Sequence, residues 1–91
     1  MSLGQKIRQQ LADGEILFCD DLDDALIGTV ERCGMGPVAL YDQEKIVRIL
    51  MERDNMTRQD AEEFFQFNTL GAFMGEFTPA FATLMTEDDV G

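Results

Sequence analysis

Apolar and polar positions recur along the chain with two different spacings, which predict helices in some segments and strands in others. Apolar side chains three and four positions apart predict one helix over residues 43–54 and another over residues 58–69. Asp42 precedes the first of these helices and can cap it by accepting a hydrogen bond from an amide two or three residues later. Thr57 can cap the second helix in the same way. A shorter helix is predicted over residues 5–12.

Short apolar runs bounded by turn residues predict strands. Four runs have this form: residues 15–20, 25–33, 38–41 and 78–85. Gly28 interrupts the second run and indicates a bulge or a close approach of two backbones. A helix over residues 22–33 is the competing interpretation, and the pattern alone does not decide between them. Pro79 indicates the start of the last strand or a position on a sheet edge.

The predicted order strand–strand–strand–helix–helix–strand is typical of an α+β fold. We expect a small, mostly antiparallel sheet with two helices on one face. The 91 residues are expected to form one domain, 1–91, because this length is near the lower end of the range for domains. Residues 1–4 and 86–91 are expected to be mobile ends. A domain of this size leaves little room for a deep substrate cleft.

Acidic residues outnumber basic ones, 18 to 7, which gives a formal net charge of −11. The excess lies mostly after residue 18, and residues 64–91 carry four acids and no base. Nucleic-acid backbones and anionic membranes are therefore disfavoured as direct partners, since like charges repel before contact. No apolar run approaches the ~18–20 residues needed to cross a bilayer. Because no export signal is recognisable either, we expect a soluble protein of the cytoplasm.

Histidine is absent from the sequence, which removes the commonest general base and the commonest transition-metal ligand. Serine triads and zinc sites that contain histidine are excluded. Cys19 and Cys33 are too few for a disulfide scaffold, and we interpret them as reduced thiols that are at least partly buried. The glycine spacing matches neither a dinucleotide-binding fingerprint nor a P-loop, and we predict no cofactor.

Four aspartates form the one dense acidic cluster: Asp20, Asp21, Asp23 and Asp24. Mg²⁺ and Ca²⁺ prefer several carboxylate or carbonyl oxygens as ligands, so a metal site is one interpretation of this cluster. The run lacks the spacing of a calcium-binding EF-hand loop, which has a central glycine and a terminal glutamate. We therefore favour a solvated turn between two elements and predict no metal.

Phenylalanines in the second half of the chain are its strongest apolar feature. Phe64, Phe65 and Phe67 span too wide an arc of one helix to face the core together. At least one of them is expected to face outward or to be covered by a second subunit. With Phe73, they are the candidates for an interaction surface, and we expect a homo-oligomer, most simply a two-fold dimer.

Three short sequence segments are unusual in combination: ILMERDNMT, then EEFFQFN, then LGAFMGEFTPAF. With the preceding ALIGTVERCGMGPVALYD, they resemble a family of small uncharacterised proteins encoded by tailed bacteriophages and prophages. The likeness runs from Ala25 to Phe81. It implies expression in the cytoplasm of a host bacterial cell, from a genome whose small acidic proteins often bind host or phage proteins. The negative charge of the chain makes a basic protein a possible partner of this kind. It implies no activity for any residue of this chain.

Two functions of different classes are compatible with these features. We favour a non-catalytic phage or prophage accessory protein that binds another protein, or a second copy of itself, through the aromatic helix face. A more specific version of this hypothesis is an acidic inhibitor that imitates the charge of nucleic acid and blocks a DNA-binding host protein. It requires carboxylates at phosphate-like spacing on one surface. The alternative is a small ligand-binding protein or metal-dependent enzyme with a carboxylate-lined site built across subunits. The absence of histidine favours the first function.

Overall fold

The α+β class predicted from the sequence is confirmed. The computed structural model describes residues 1–12, 14–70 and 75–90, with Leu70 described by its backbone only. Within these residues the protein has a three-stranded mixed sheet and four α-helices. The strands are β1 (Leu26–Val30), β2 (Val38–Asp42) and β3 (Ala80–Ala82). The helices are α1 (Leu3–Gln10), α2 (Gln43–Arg53), α3 (Arg58–Phe64) and α4 (Glu87–Val90).

Strands β1 and β2 form an antiparallel pair, and a short 3₁₀ turn, Asp23–Ala25, precedes β1. A β-bulge lies between Leu26 and Gly28. The strand interpretation of this segment is therefore correct, and the helix over residues 22–33 is excluded. The bulge predicted from the position of Gly28 in the apolar run is confirmed.

Two predictions about the sheet are wrong. Residues 15–20 form no strand, and Ile16, Phe18 and Cys19 pack against the core without a ladder partner. Strand β3 pairs with β2 in parallel, so the sheet is mixed rather than mostly antiparallel. The cause is the connection, because α2 and α3 return the chain to the end of the sheet where β2 begins. The strand predicted over residues 78–85 is shortened to three residues directly after Pro79.

Local side-chain caps define the starts of the two central helices. Asp42 Oδ1 accepts hydrogen bonds from the amides of Glu44 at 3.0 Å and Lys45 at 3.5 Å, so the predicted cap of α2 is confirmed. At the start of α3, Thr57 Oγ1 accepts a hydrogen bond from the amide of Asp60 at 3.2 Å. Both helices therefore begin where the sequence predicts.

A π-helical turn, Phe65–Leu70, follows α3 directly. The helix predicted over residues 58–69 is therefore right in extent, but its second half is wound differently. A π-helix closes its hydrogen bonds over five residues instead of four, so successive side chains rotate less about the axis than in an α-helix. This change of winding helps to determine which phenylalanines face the core.

Buried residues of both long strands, of α2 and of the π-helical turn form one hydrophobic cluster. The largest fully buried side chains are Tyr41, Phe65, Leu26, Ile46, Leu50 and Val47. Phe81 of β3 packs against two of them, with ring centroids 5.9 Å from Tyr41 and 5.2 Å from Phe65. The short parallel strand is thus joined to the rest of the core by aromatic contacts.

None of the described helices is long and apolar enough to cross a membrane. Two further expectations about the architecture stay predictions. One is that both central helices lie on a single face of the sheet, and the other is that residues 1–4 and 86–91 are mobile.

Gly4 is buried where α1 meets the 3₁₀ turn. A Cβ added there would overlap the carbonyl oxygen of Asp23, whereas a Cβ added at Gly36 has nothing within 4 Å. We expect Gly4→Ala to lower the free energy of unfolding by about 1–2 kcal/mol, because overpacking exceeds the gain in helix propensity. Urea unfolding measures this change, and the matched control Gly36→Ala should alter stability by less than about 0.5 kcal/mol. Equal effects of both substitutions would contradict the close packing of α1.

Candidate interaction surface on the third helix

Phe64 at the end of α3 and two phenylalanines of the π-helical turn, Phe65 and Phe67, have very different exposures. Phe65 is 1 % exposed, Phe64 is 39 % exposed and Phe67 is 82 % exposed. The prediction that at least one of them faces outward is therefore confirmed. The assignment of Phe65 to an interaction surface is wrong, because its ring packs edge-to-face against Phe81 in the core. Phe73, the fourth candidate, lies outside the described residues.

Phe67 lines a groove of about 700 Å³. We call it the Phe67 groove, and its lining residues are Gln43, Gln59, Glu62, Glu63, Gln66 and Phe67. Most of them come from α3 and the turn that follows it, at positions three or four apart that share one side of a helix. Gln43 comes from the first turn of α2. The groove therefore combines one exposed aromatic ring with carboxylates and side-chain amides.

Negative charge in the Phe67 groove is only partly compensated. Glu62 Oε1 lies 3.1 Å from Arg58 Nε, and Arg58 also pairs with Glu44 of α2. The hydrogen bond from Arg58 holds the pKa of Glu44 below its ordinary value. Glu63 forms no ion pair with any residue that the structure describes. The groove thus keeps an uncompensated carboxylate on the same helical segment as the ring of Phe67.

The aspartate cluster lies at a separate concave surface of about 810 Å³ that residues of α1 and α2 also line. Arg8 Nη1 donates a hydrogen bond to Asp23 Oδ1 at 2.9 Å, and Arg8 Nη2 lies 3.7 Å from Asp20 Oδ1. Arg53 Nη1 donates a hydrogen bond to the carbonyl oxygen of Asp21 at 2.9 Å. Two arginines that are distant in the sequence therefore hold the cluster in place.

The aspartates form a charged turn whose acids are partly paired. The side chain of Asp20 is 93 % exposed, and Asp24 is exposed as well, as a solvated turn requires. Asp21 has a left-handed φ of 61°, a conformation that aspartate tolerates in turns. Among the described residues, no group of three or more Cys, Asp or Glu side chains is placed to hold a metal ion. The guanidinium of Arg8 compensates the charge at Asp23.

The two cysteines are free and lie in different environments. Cys19 is half-buried, and burial raises the pKa of its thiol, which favours the protonated and weakly nucleophilic form. Cys33 is exposed, so the prediction that it is at least partly buried is wrong. It lies three residues after the end of β1, in the turn at Gly34 that precedes β2.

Sequence reasoning did not identify the arginines at the aspartate cluster or the glutamine from α2 in the Phe67 groove. Arg8 and Asp23 are 15 positions apart, and Arg53 and Asp21 are 32 positions apart. No local spacing links residues so distant from each other. The excess of acidic residues could therefore be read from the sequence, but the arginines that pair with the aspartate cluster could not.

No family model, curated protein or solved structure matches the chain. The resemblance to phage and prophage proteins stays a prediction. The Phe67 groove is therefore interpreted from its own residues.

Proposed function

We propose that this protein is a non-catalytic accessory protein, of phage or prophage origin, that binds a basic segment of a partner protein in the Phe67 groove. The observation that carries the binding function is the 82 % exposed ring of Phe67 in a groove that Glu62 and Glu63 also line. The proposed origin is supported by the sequence resemblance from Ala25 to Phe81 alone.

An exposed aromatic ring in a groove is a favourable anchor for a partner. A single exposed apolar side chain is ordinary, but Phe67 lines a concave surface and stands close in sequence to Phe64, which is 39 % exposed. Aromatic rings supply much of the binding energy at interfaces, because they bury a large area at a small loss of side-chain entropy. The alkyl stem of a lysine or arginine fits against such a ring, and its cation gains a further attraction to the ring face.

The charge around Phe67 determines the chemistry of the partner. A two-fold dimer through this groove would bring the glutamates of two chains together, and each chain has a formal net charge of −11. Like charges oppose that arrangement, whereas a lysine- or arginine-rich segment supplies the opposite charge. We therefore assign the groove to a basic partner rather than to a second copy. The expected homo-oligomer then requires another surface.

Glutamines give the groove hydrogen-bonding groups for the backbone of such a segment. Gln43, Gln59 and Gln66 each carry a side-chain amide that can both donate and accept hydrogen bonds. A bound backbone has the same two kinds of group. These amides are uncharged, so the charge preference of the groove is determined by Glu62 and Glu63.

Neither alternative function is favoured by the arrangement of the carboxylates. A nucleic-acid mimic requires an uninterrupted acidic array, but Arg8 lies between Asp20 and Asp23. Arg58 likewise pairs with two glutamates. A carboxylate-lined ligand site requires acids that are free to bind, and Arg8 already pairs with two of the four clustered aspartates.

Two matched synthetic peptides test the proposed function. A labelled peptide of alternating leucine and lysine supplies a basic, apolar segment, and the same peptide with glutamate in place of lysine is its control. By fluorescence anisotropy we expect the lysine peptide to bind with micromolar affinity that falls as salt rises, and the glutamate peptide not to bind. Phe67→Ala is expected to weaken binding of the lysine peptide by at least about tenfold.

Leu3→Ala is the matched control variant, because Leu3 is 62 % exposed and lies on α1, away from the lining of the groove. It should bind the lysine peptide as the unmodified protein does. Unchanged binding by Phe67→Ala, or an equal loss with Leu3→Ala, would place the peptide elsewhere and contradict the proposal. Light scattering that shows a dimer for the unmodified protein and a monomer for Phe67→Ala would assign the groove to a second copy instead.

A further inference from the structure

Strand β1 forms one edge of the sheet, because the strand order is β1–β2–β3. Its residues 28–30 pair with residues 38–40 of β2 in an unbroken antiparallel register. Among the described residues, no backbone outside β2 forms a hydrogen bond with residues 28–30. The backbone groups on the outer side of β1 are therefore left without a backbone partner in the described part of the chain.

The outer edge of β1 has room for another strand. Thr29 is exposed, and a Cβ added at Gly28 would contact no heavy atom beyond its chain neighbours within 4 Å. Glycine in a strand permits the close approach of a second backbone. A sheet edge with free N–H and C=O groups is a template for one further strand, from a peptide or from a second copy.

Strand β3 forms the other edge, but it is less suited to a second copy. It has three residues and begins directly after Pro79, which has no amide hydrogen to donate. Residues 64–91 carry four acids and no base, so two copies paired there would bring like charges together. Residues 26–30 of β1 carry no charged side chain. Self-association of this acidic chain therefore meets less local repulsion at β1 than at β3.

The residues that flank β1 carry opposite charges. Arg32 follows the strand, is exposed and forms no ion pair with any residue that the structure describes. Asp24 precedes the strand, in the 3₁₀ turn, and is likewise exposed and without an ion pair to a described residue. In an antiparallel pair of β1 strands, the end that carries Arg32 lies next to the beginning of the other copy's strand, which carries Asp24.

The surface around Asp24 has an excess of negative charge that a cation from a second copy would reduce. The aspartate cluster shares its concave surface with one glutamate and two arginines: Glu52, Arg8 and Arg53. Five carboxylates and two guanidinium groups thus line it. Arg32 of a second copy is therefore attracted to this end of β1. Glu31, which precedes Arg32, opposes the attraction in part, so we expect the attraction to be modest.

We propose that two copies of the protein pair antiparallel along the outer edges of β1, with Arg32 of each copy close to Asp24 of the other. A two-fold axis relates the copies, so the same attraction occurs twice. This inference goes beyond the proposed function and supplies the further surface that the expected homo-oligomer requires. Because the β-bulge between Leu26 and Gly28 limits the regular edge to residues 28–30, the interface is small and we expect a weak dimer.

Exchange of the two charges tests this pairing. Asp24→Arg places two arginines next to each other in the dimer, and Arg32→Asp places two aspartates next to each other. Sedimentation equilibrium between about 10 µM and about 1 mM gives the dissociation constant of each variant. We expect the unmodified protein to dimerise in this range and each single substitution to weaken dimerisation by at least about fivefold.

The double substitution should restore dimerisation, and so should an equimolar mixture of the two single variants. Each of them again places an arginine beside an aspartate at both ends of the paired strands. Lys45→Asp is the matched control, because it changes the net charge as much as Arg32→Asp does and Lys45 is exposed on α2. It should leave the dissociation constant within about twofold of that of the unmodified protein.

Hydrogen exchange followed by NMR reports on the strand edge itself. We expect amides of β1 to exchange more slowly at high protein concentration than at low concentration, because the second copy accepts their hydrogen bonds. Amides of α2 should exchange at the same rate at both concentrations. In Arg32→Asp the difference at β1 should be lost.

Four results would overturn the inference. They are a monomer throughout the concentration range, a dimer that both single substitutions leave unchanged, an equal loss with Lys45→Asp, and a mixture of the single variants that does not dimerise. Circular dichroism verifies that each variant is folded, and if Asp24→Arg is not, the contrast between Arg32→Asp and Lys45→Asp decides. Phe67→Ala should dimerise as the unmodified protein does, so loss of the proposed peptide binding would leave this inference intact.

Discussion

Phe65→Ala is expected to lower the free energy of unfolding by about 3–5 kcal/mol, a large part of the roughly 5–15 kcal/mol by which small domains are stable. The ring of Phe65 is 1 % exposed and packs edge-to-face against Phe81, with centroids 5.2 Å apart. Truncation therefore removes an aromatic contact and leaves a cavity in the core. Urea unfolding followed by circular dichroism measures the loss. Phe65→Leu keeps most of the volume and is expected to cost less than about 2 kcal/mol.

Phe67→Ala is the matched control for this prediction. The residue lies two positions further along the same helical segment, but its ring is 82 % exposed. We expect its substitution to change the free energy of unfolding by less than about 0.5 kcal/mol. With this result, the ring of Phe65 contributes to stability and the ring of Phe67 does not. Equal destabilisation by both substitutions would contradict the orientation of the π-helical turn, and with it the Phe67 groove.

Helix α2 could be predicted from the sequence because its signals are local. Asp42 caps it by accepting hydrogen bonds from amides two and three residues later. Glu44 and Arg48 pair four residues apart, and Asn55 has the left-handed φ of 55° expected just after the helix. Each of these groups acts within about one helical turn, so its partner is already present in the neighbouring sequence.

The sheet could be predicted only in part, because strand pairing joins residues that are distant in the sequence. Residues 15–20 have the composition of a strand, but an apolar run indicates burial and not a ladder partner. Ile16 and Phe18 pack against the core, and the amide of Cys19 donates to the hydroxyl of Tyr41. The segment is thus buried without joining the sheet. Nothing in the apolar run itself distinguishes a buried strand from a buried segment outside the sheet.

The sequence predicted that an exposed aromatic ring must exist, but not which ring it is or which residues surround it. The arc of phenylalanines requires at least one ring outside the core at any regular winding. Which ring lies outside depends on the change from α- to π-helical winding at Phe65, and no local spacing in the sequence predicted that change. Gln43 joins the surface only because α2 and α3 pack against each other. The aromatic feature was therefore visible in the sequence, and the groove around it was not.

Tyr41→Phe is expected to lower the free energy of unfolding by about 1–3 kcal/mol near neutral pH. Tyr41 is fully buried, and its hydroxyl oxygen accepts a hydrogen bond from the amide of Cys19 at 2.9 Å. The substitution keeps the ring against Phe81 but leaves that partly buried amide without its acceptor. Urea unfolding of both proteins measures the difference. No loss of stability would show that water replaces the hydroxyl at Cys19.

Tyr41 also gives the protein a pH dependence that the phenylalanine variant lacks. Burial raises the pKa of Tyr41 from 10.0 to about 12. The unfolded chain therefore ionises first as pH rises, so the contribution of the neutral phenol is complete below about pH 10 and is lost between about pH 10 and 12. The difference between the two pKa values corresponds to about 2–3 kcal/mol. The stability advantage over Tyr41→Phe should therefore shrink across this interval and vanish or reverse by about pH 12.

Direct titration of the phenol provides the measurement. Tyr41 is the one tyrosine of the chain and tryptophan is absent, so the ultraviolet absorbance of tyrosinate follows this group alone. We expect a midpoint near 12 in the folded protein and near about 10 in urea. Burial also raises the pKa of the Cys19 thiol. Ionisation of this thiol therefore also lowers the stability of both proteins as pH rises, but at lower pH than ionisation of Tyr41. A folded-state midpoint near 10 would contradict the burial of the hydroxyl, and with it the attachment of residues 15–20 to the core through Cys19.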